Sequence, residues 1–200
     1  MPLPPDILVA LVLFAFVTSV TPGPNNLMLL ASGANFGVRR SVPHMLGIAG
    51  GFTLMVALVG AGLMGTLDAY PAAHGALRVA SVLYMLWLAW KIAHAAPPTA
   101  RSVEVGRPLT FLQAAAFQWV NPKAWAMALG AIAAYAPTRS LDAVIAVAIV
   151  FGAVNLPSVG AWAVLGQSLR RFLSDPRRLR VFNIAMAVLL DASVVPVVLG

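Results

Sequence analysis

Asp6–Ala34 reads DILVALVLFAFVTSVTPGPNNLMLLASGA, and this stretch decides the fold. The apolar run Ile7–Val20 stops at a polar interruption, Thr21-Pro22-Gly23-Pro24-Asn25-Asn26, after which apolar residues resume. A helix that crosses a bilayer needs about 20 mostly apolar residues, so the whole stretch is long enough to span. Two prolines that flank a glycine break a helix, because proline lacks a backbone donor and clashes with the preceding turn. The sequence therefore predicts a membrane helix that is interrupted near its middle.

The composition favours a membrane protein. Hydrophobic residues make up 60% of the 200 residues and charged residues 10%, and the mean hydropathy is +0.89. A soluble domain carries roughly a quarter charged residues, and a chain of this size could not hide so much apolar surface from water. There is no cysteine, which excludes disulfides, thiolate metal sites and cysteine nucleophiles. The net charge of +7 does not indicate nucleic-acid binding, because the basic residues flank apolar segments.

Six apolar stretches are long enough to span, which predicts an all-α, polytopic membrane protein. The predicted spans are Asp6–Ala34, Val42–Leu67, Ala76–Ala95, Leu109–Ala136, Leu141–Leu165 and Val181–Leu199. The most polar linker, Pro97–Pro108, divides a single transmembrane domain (1–200) into halves of about 1–97 and 108–200.

The distribution of charge predicts the topology. Ten of the 13 Lys and Arg residues lie in the loops after the first, third and fifth predicted spans. Cytoplasmic loops carry such an excess of basic residues, so both termini are expected outside. Three spans per half then enter the membrane in opposite directions, which is the geometry of a 3+3 inverted repeat.

Matching features about 100 residues apart favour this repeat over coincidence in apolar sequence. Each half has a proline-containing break in its first span, Thr21–Asn26 and Asn121-Pro122-Lys123. Each half also has a Gly/Phe pair early in its second span, Gly51-Phe52 and Phe151-Gly152.

The first break is the strongest candidate site. In hydrocarbon the carbonyls that a break frees need partners, and Asn25 and Asn26 supply amide donors and acceptors beside it. A discontinuous helix of this kind holds a solute with its unwound backbone and amides. The predicted binding residues here are Thr21, Pro22, Gly23, Pro24, Asn25 and Asn26. The alternative is a kink that is capped by its own asparagines and binds no ligand.

The second break, Asn121-Pro122-Lys123, places a cation deep in an apolar span. A buried lysine costs at least a few kcal/mol, so it is expected to face a cavity or a partner, and a substrate carboxylate would suit it. The alternative is that Lys123 pairs with an internal acid or extends to the interface. Asn155, next to Pro157 in the fifth span, either lines the same cavity or belongs to a bend.

Asp191 is the only acid well inside a predicted span. An intramembrane carboxylate is a candidate proton relay; the alternative is a residue satisfied by a neighbouring helix. The sequence lacks a phosphate-binding glycine loop, a His and acid set for a metal, and a Ser/His/Asp set. It therefore predicts a protein that is not an enzyme and has no catalytic residues, metal or cofactor. Any transport that requires energy would then be driven by an ion or solute gradient.

The hexapeptide Thr21–Asn26, followed by Gly37 and a basic pair, resembles the signature of the LysE/RhtB family of amino-acid exporters. The resemblance continues through Trp87–Lys91 and Phe117–Lys123, where it is most similar to the cysteine/O-acetylserine exporter subgroup. It implies efflux of amino acids or close derivatives across the bacterial inner membrane, by a multi-pass, proton-coupled secondary transporter that uses alternating access. The implied partners are an amino-acid substrate and membrane lipid, without nucleic acid, and homo-oligomerisation is left open.

A passive channel or facilitator for small polar solutes is the alternative function. In that case the broken helices would line a pore, and flux would show neither proton coupling nor accumulation against a gradient.

The predicted topology is testable with reporter fusions. Because the charge bias places both termini outside, a reporter that is active only in the periplasm should be active after Gly200 and inactive within the linker Pro97–Pro108. Activity in the linker and not at the C-terminus would reverse the orientation.

Overall fold

The computed structural model describes residues 4–62, 71–94, 107–136 and 140–192, and every regular element in these ranges is helical. This confirms the all-α prediction for the described residues. The α-helices in chain order are α1 (Pro5–Val20), α2 (Pro24–Phe36), α3 (Val38–Gly60), α4 (Pro71–Ala93), α5 (Phe111–Phe117), α6 (Pro122–Tyr135), α7 (Leu141–Leu169) and α8 (Pro176–Ala192). Two short 3₁₀-helices, Gln118–Val120 and Phe172–Ser174, follow α5 and α7.

The first predicted span is broken, as the sequence predicted. α1 ends at Val20 and α2 begins at Pro24, and the two helices are bent by 58°. Proline suits the first helical position, because the backbone donor that it lacks has no partner there. The break is shorter than predicted, since Asn25 and Asn26 lie in the first turn of α2 and only Thr21–Gly23 are non-helical.

The fourth predicted span is also interrupted. α5 begins after Thr110, whose side chain forms a capping box with Gln113. It passes into the 3₁₀-helix and stops at Asn121, and α6 starts at Pro122. The Asn121 side chain accepts a hydrogen bond from the backbone N–H of Lys123 (3.1 Å), which caps α6. Both breaks thus end in a new helix that begins with proline.

The spans are only partly tested by the described residues. By length and composition α3 and α7 are each able to cross a bilayer, and the bent pair α1 and α2 makes a third candidate. α4 offers a shorter apolar section, Val82–Ala93. The C-terminal ends of the second, third and sixth predicted spans (63–67, 95 and 193–199) lie outside the described residues. The count of six spans therefore stays a prediction.

Several helix boundaries differ from the predicted spans. α3 begins at Val38, not Val42, α4 begins at Pro71, not Ala76, and α7 continues to Leu169 beyond the predicted end. Hydropathy detects only the apolar section of a helix, whereas backbone hydrogen bonding continues into polar ends. The predicted boundaries therefore marked the apolar sections and not the helices themselves.

α7 lies at the centre of the packing. It contacts α1, α2 and α3, while α3 also packs on α5 and α6, and α4 packs against α8. The rings of Phe52 in α3 and Phe151 in α7 meet edge to face with centroids 5.4 Å apart. α2 is enclosed by its neighbours, because every residue from Asn26 to Asn35 is buried.

Glycines bring the central helices into backbone contact. A side chain at Gly33 of α2 would overlap the backbone of Ala163, and one at Gly166 of α7 would overlap the backbone of Leu30. Small residues permit this close approach between membrane helices. Gly47 and Gly51 of α3 lie equally close to the backbone of α5, so this pair also permits close helix packing.

The glycine contact between α2 and α7 leads to a stability prediction. Gly33→Ala and Gly166→Ala should each cost about 1–3 kcal/mol, because the methyl group forces packed backbones apart. Gly50→Ala is the matched control: it is exposed, and a Cβ there would lie at an ordinary 3.5 Å from the Phe111 ring. Thermal unfolding in detergent measures the difference. Equal midpoints for Gly33→Ala and Gly50→Ala would contradict the contact.

Candidate functional site

The two helix breaks meet each other in the structure. Asn25 Nδ2 donates to Gln118 Oε1 (2.9 Å), and Gln118 Nε2 donates back to Asn25 Oδ1 (3.2 Å). Gln118 is fully buried and precedes the second break, so this reciprocal amide pair joins residues 93 positions apart in the chain. The break in the first half and the break in the second half therefore form one polar region.

The end of α1 presents backbone carbonyls that have no partner within the helix. Asn26 Nδ2 donates to the carbonyls of Ser19 (2.8 Å) and Thr21 (2.7 Å). Trp162 Nε1, from α7, donates to the carbonyl of Val20 (3.1 Å). Side chains from two other helices thus satisfy carbonyls that the break leaves free.

Lys123 supplies the remaining donor to this helix end. Its Nζ donates to the carbonyl oxygens of Thr21 (2.5 Å) and Pro22 (3.4 Å). The C-terminal end of a helix carries partial negative charge, which attracts a cation. Among the described residues no carboxylate lies within the 4.0 Å of an ion pair with Lys123. The predicted alternative, a pair with an internal acid, is therefore not found in this part of the chain.

Asn155 faces the same region from α7. Its Nδ2 donates to Ser19 Oγ (3.1 Å), and its Oδ1 is buried with no hydrogen-bond partner among the described residues. Pro157 lies inside a continuous α7, so Asn155 belongs to a helix wall and not to a break. An unpaired buried acceptor costs about 1–3 kcal/mol, which makes this oxygen a candidate ligand contact.

These groups surround a small cavity of about 20 Å³, which has room for about one water molecule. Phe52, Met127 and Val159 form part of its apolar wall. Its polar lining includes Ser19, Asn25, Asn26, Gln118, Lys123 and Asn155. An amino acid is several times larger than this space, so the cavity does not hold one in the described conformation.

The structure places the sequence-predicted residues as follows. The cavity lining contains Gly23, Asn25, Asn26, Asn121, Lys123 and Asn155. Thr21 and Pro22 contribute their carbonyls to Lys123, whereas Pro24 and Pro122 begin α2 and α6. Asp191 is different: its side chain is exposed on α8, and it is not part of the cavity lining.

Sequence reasoning missed Ser19, Gln118 and Trp162. A signal existed for Gln118, a polar residue one helical turn before Asn121, and for Ser19, a polar residue just before the first break. Trp162 gave no such signal, because a tryptophan in an apolar span is typical of packing. The two asparagines of the first break also differ. Asn26 caps its own break, as the alternative interpretation held, and Asn25 reaches across to the second break.

Comparisons with known proteins agree with the sequence resemblance. The family model described as LysE type translocator matches residues 16–194. Proteins named cysteine/O-acetylserine efflux protein are 32% identical over 189 residues, which is 93% of this chain and 94% of theirs. These relatives come from Escherichia coli (strain K12), Shigella sonnei (strain Ss046) and Shigella flexneri serotype 5b (strain 8401). No solved structure matches the chain. The resemblance to this family and subgroup is confirmed.

A double-mutant cycle tests the link between the two breaks. The loss of unfolding free energy in the double variant Asn25→Ala/Gln118→Ala should be smaller than the sum of the losses in the two single variants. The reason is that both substitutions remove the same pair of hydrogen bonds. The expected coupling energy is about 0.6 kcal/mol, and up to about 1.7 kcal/mol, as for interhelical hydrogen bonds in membranes.

The control cycle combines Asn25→Ala with Gln167→Ala, which removes a separate bond to the backbone N–H of Val38. These two changes should be additive within about 0.5 kcal/mol. Equal coupling in both cycles, measured by unfolding in detergent, would show that the amide pair does not join the breaks.

Proposed function

The chain belongs to the family of LysE-type translocators, and we propose that it exports amino acids or close derivatives across a bacterial inner membrane. The relatives named for cysteine and O-acetylserine efflux make these two compounds the first candidate substrates. Both are small amino acids with a polar side chain, and each carries an α-ammonium and an α-carboxylate. The proposal thus requires a site that accepts both charges.

The observation that carries the proposal is Lys123, an ammonium at the meeting point of two helix breaks with no carboxylate beside it in the described residues. The first turns of α2 and α6 begin at the same cavity. Helix N-termini present free N–H groups and partial positive charge. Lys123 and these two helix ends together favour an anionic group such as a substrate carboxylate.

The opposite charge has its own candidate partners. The carbonyls at the end of α1 carry partial negative charge, and the buried Asn155 Oδ1 is an acceptor without a donor among the described residues. An ammonium has three donors and no acceptor. Lys123, which bonds the carbonyls of Thr21 and Pro22, lines the same cavity as Asn155. Groups suited to a carboxylate and to an ammonium therefore lie close together, which supports a zwitterionic substrate over a purely anionic or purely cationic one.

Alternating access is the proposed mechanism. The cavity is too small for an amino acid, so a substrate binds only if the groups that line it move apart. Packing between equivalent elements supports the proposed 3+3 repeat: α3 lies against α7, α4 against α8, and the two breaks join through Asn25 and Gln118. In this proposal the halves rock about the site and expose it first to the cytoplasm and then to the outside.

Proton coupling is the proposed source of energy, with Asp191 as the candidate carboxylate. Asp191 is exposed and does not line the cavity. A role in coupling would therefore act through movement of α8 and not through contact with the substrate. A passive channel remains the competing function, and it differs by showing no accumulation against a gradient.

Efflux from cells with and without the protein tests this function. Labelled O-acetylserine and cysteine should leave expressing cells faster, and collapse of the proton gradient should remove uphill export. Asp191→Asn should abolish the pH dependence if this carboxylate couples protons; unchanged pH dependence would remove it from the mechanism. Flux that only equalises concentrations would identify a facilitator.

Site variants in the same assay locate the pathway. Asn26→Ala and Lys123→Ala should each reduce efflux at least tenfold at equal protein levels, because each leaves carbonyls of the break without donors. Lys91→Ala is the matched control, since Lys91 is exposed at the end of α4 with its Nζ 4.7 Å from the centre of the Trp87 ring. Normal efflux by both site variants would show that the site is wrongly assigned.

A further inference from the structure

We propose that Lys123 occupies the amine subsite of the transporter when no substrate is bound, and that only a zwitterion displaces it efficiently. The substrate ammonium would take the α1 carbonyls that Lys123 now holds, and the substrate carboxylate would receive the displaced Lys123. This inference rests on the proposed function and adds a selection rule to it.

The hydrogen bonds of Lys123 are the first support. Its Nζ lies 2.5 Å from the carbonyl oxygen of Thr21 and 3.4 Å from that of Pro22. Broken helices of transporters use such freed carbonyls to hold cations. The ammonium of an amino acid has the same charge and the same three donors as the lysine Nζ. The two ammonium groups therefore compete for one set of acceptors.

The local charge is the second support. Lys123 is in the first turn of α6, where the positive end of the helix disfavours a cation. Its hydrogen-bond partners are neutral carbonyls, and no carboxylate of the described residues is within ion-pair distance. Lys123 is half-buried, and a partly desolvated cation held only by neutral carbonyls gains from an arriving anion. A substrate carboxylate would supply that anion at the moment when Lys123 leaves the carbonyls.

The shape of the cavity is the third support. The Lys123 side chain packs against Gly23, where an added Cβ would lie 2.6 Å from Cδ and 3.2 Å from Nζ. The side chain thus fills space between the two breaks. The Oδ1 of Asn155, a side chain that is 4% exposed, lines the same cavity and has no donor among the described residues. Once Lys123 moves, the carbonyl oxygens of Thr21 and Pro22 can accept from a substrate ammonium. Asn155 Oδ1 is a further acceptor in the cavity that Lys123 lines.

A selection rule follows from this exchange of partners. A compound with only an amine would displace Lys123 but leave its charge without an anion. A compound with only a carboxylate would attract Lys123 but leave the carbonyls without a donor. Each partial ligand leaves either the Lys123 ammonium or the carbonyls without a partner, which costs binding free energy. Replacement of Lys123 by an uncharged residue should therefore allow simple amines to bind, because the carbonyl acceptors then have no donor.

The experiment compares ligand-induced stabilisation of purified wild type, Lys123→Met and Lys91→Met. Lys91 is the only other lysine in the chain, so its variant is a matched control. Ethylammonium chloride is the amine probe, with tetraethylammonium chloride at equal ionic strength as the reference. Ethylammonium should raise the unfolding temperature of Lys123→Met at a concentration at least tenfold lower than that needed for wild type or Lys91→Met. Equal responses of wild type and Lys123→Met would overturn the inference.

A measurement on wild type covers the case in which Lys123→Met does not fold. With ¹³C-labelled lysine the two Cε signals are assigned with Lys91→Met, and O-acetylserine should shift the Lys123 signal but leave Lys91 in place. A substrate that binds without moving the Lys123 signal would overturn the displacement. Transport is not needed for the ethylammonium test, so absence of efflux would refute the proposed function alone. Normal efflux with equal ethylammonium responses would refute this inference alone.

Discussion

The rest of the structure depends on the carbonyl groups that the end of α1 leaves without helical partners. In a membrane interior each unsatisfied backbone group costs several kcal/mol, and no water is present to relieve it. Asn26 of α2, Trp162 of α7 and Lys123 of α6 supply the donors. Because these donors come from three helices, satisfying one helix end requires the three to converge on it. The close contact of α2 with α7 through Gly33 and Gly166 permits that convergence.

In the proposed function, the groups that stabilise the break are also the groups that bind the substrate. Lys123 is held by carbonyls alone, at the unfavourable end of its own helix. Asn155 retains an acceptor with no donor in the described part of the chain. Polar groups with incomplete hydrogen bonding are typical of functional sites, where the packing of the surrounding residues holds the geometry in place. Here the packing comes from edge-to-face aromatic pairs, including Phe52 with Phe151, and from the enclosed helix α2.

The residues of the site differ in how far sequence predicted them. Proline and asparagine at 21–26 and 121–123 predicted both breaks, because the chemistry of proline acts on its own turn and needs no tertiary information. The cost of burying a charge was enough to predict that Lys123 faces a cavity or a partner. The partners of these residues were not predictable: Gln118 and Trp162 lie 93 and 142 positions from the atoms they bond. Asp191 was selected by depth along its span, yet it is exposed on α8, because depth does not specify which face of a helix carries a residue.

By itself the sequence determined the membrane class, the all-helical architecture, the two proline breaks and the family signature. These properties follow from composition and from interactions within a few residues, which a linear reading contains. Tertiary structure alone decided that the breaks meet through Asn25 and Gln118, that Asn26 closes its own break, and that Lys123 holds the carbonyls of Thr21 and Pro22. The physical reason is that the donors and acceptors of a broken helix are satisfied across helices. The helix faces that pack together decide which donor meets which acceptor. No local pattern in the sequence shows which faces these are.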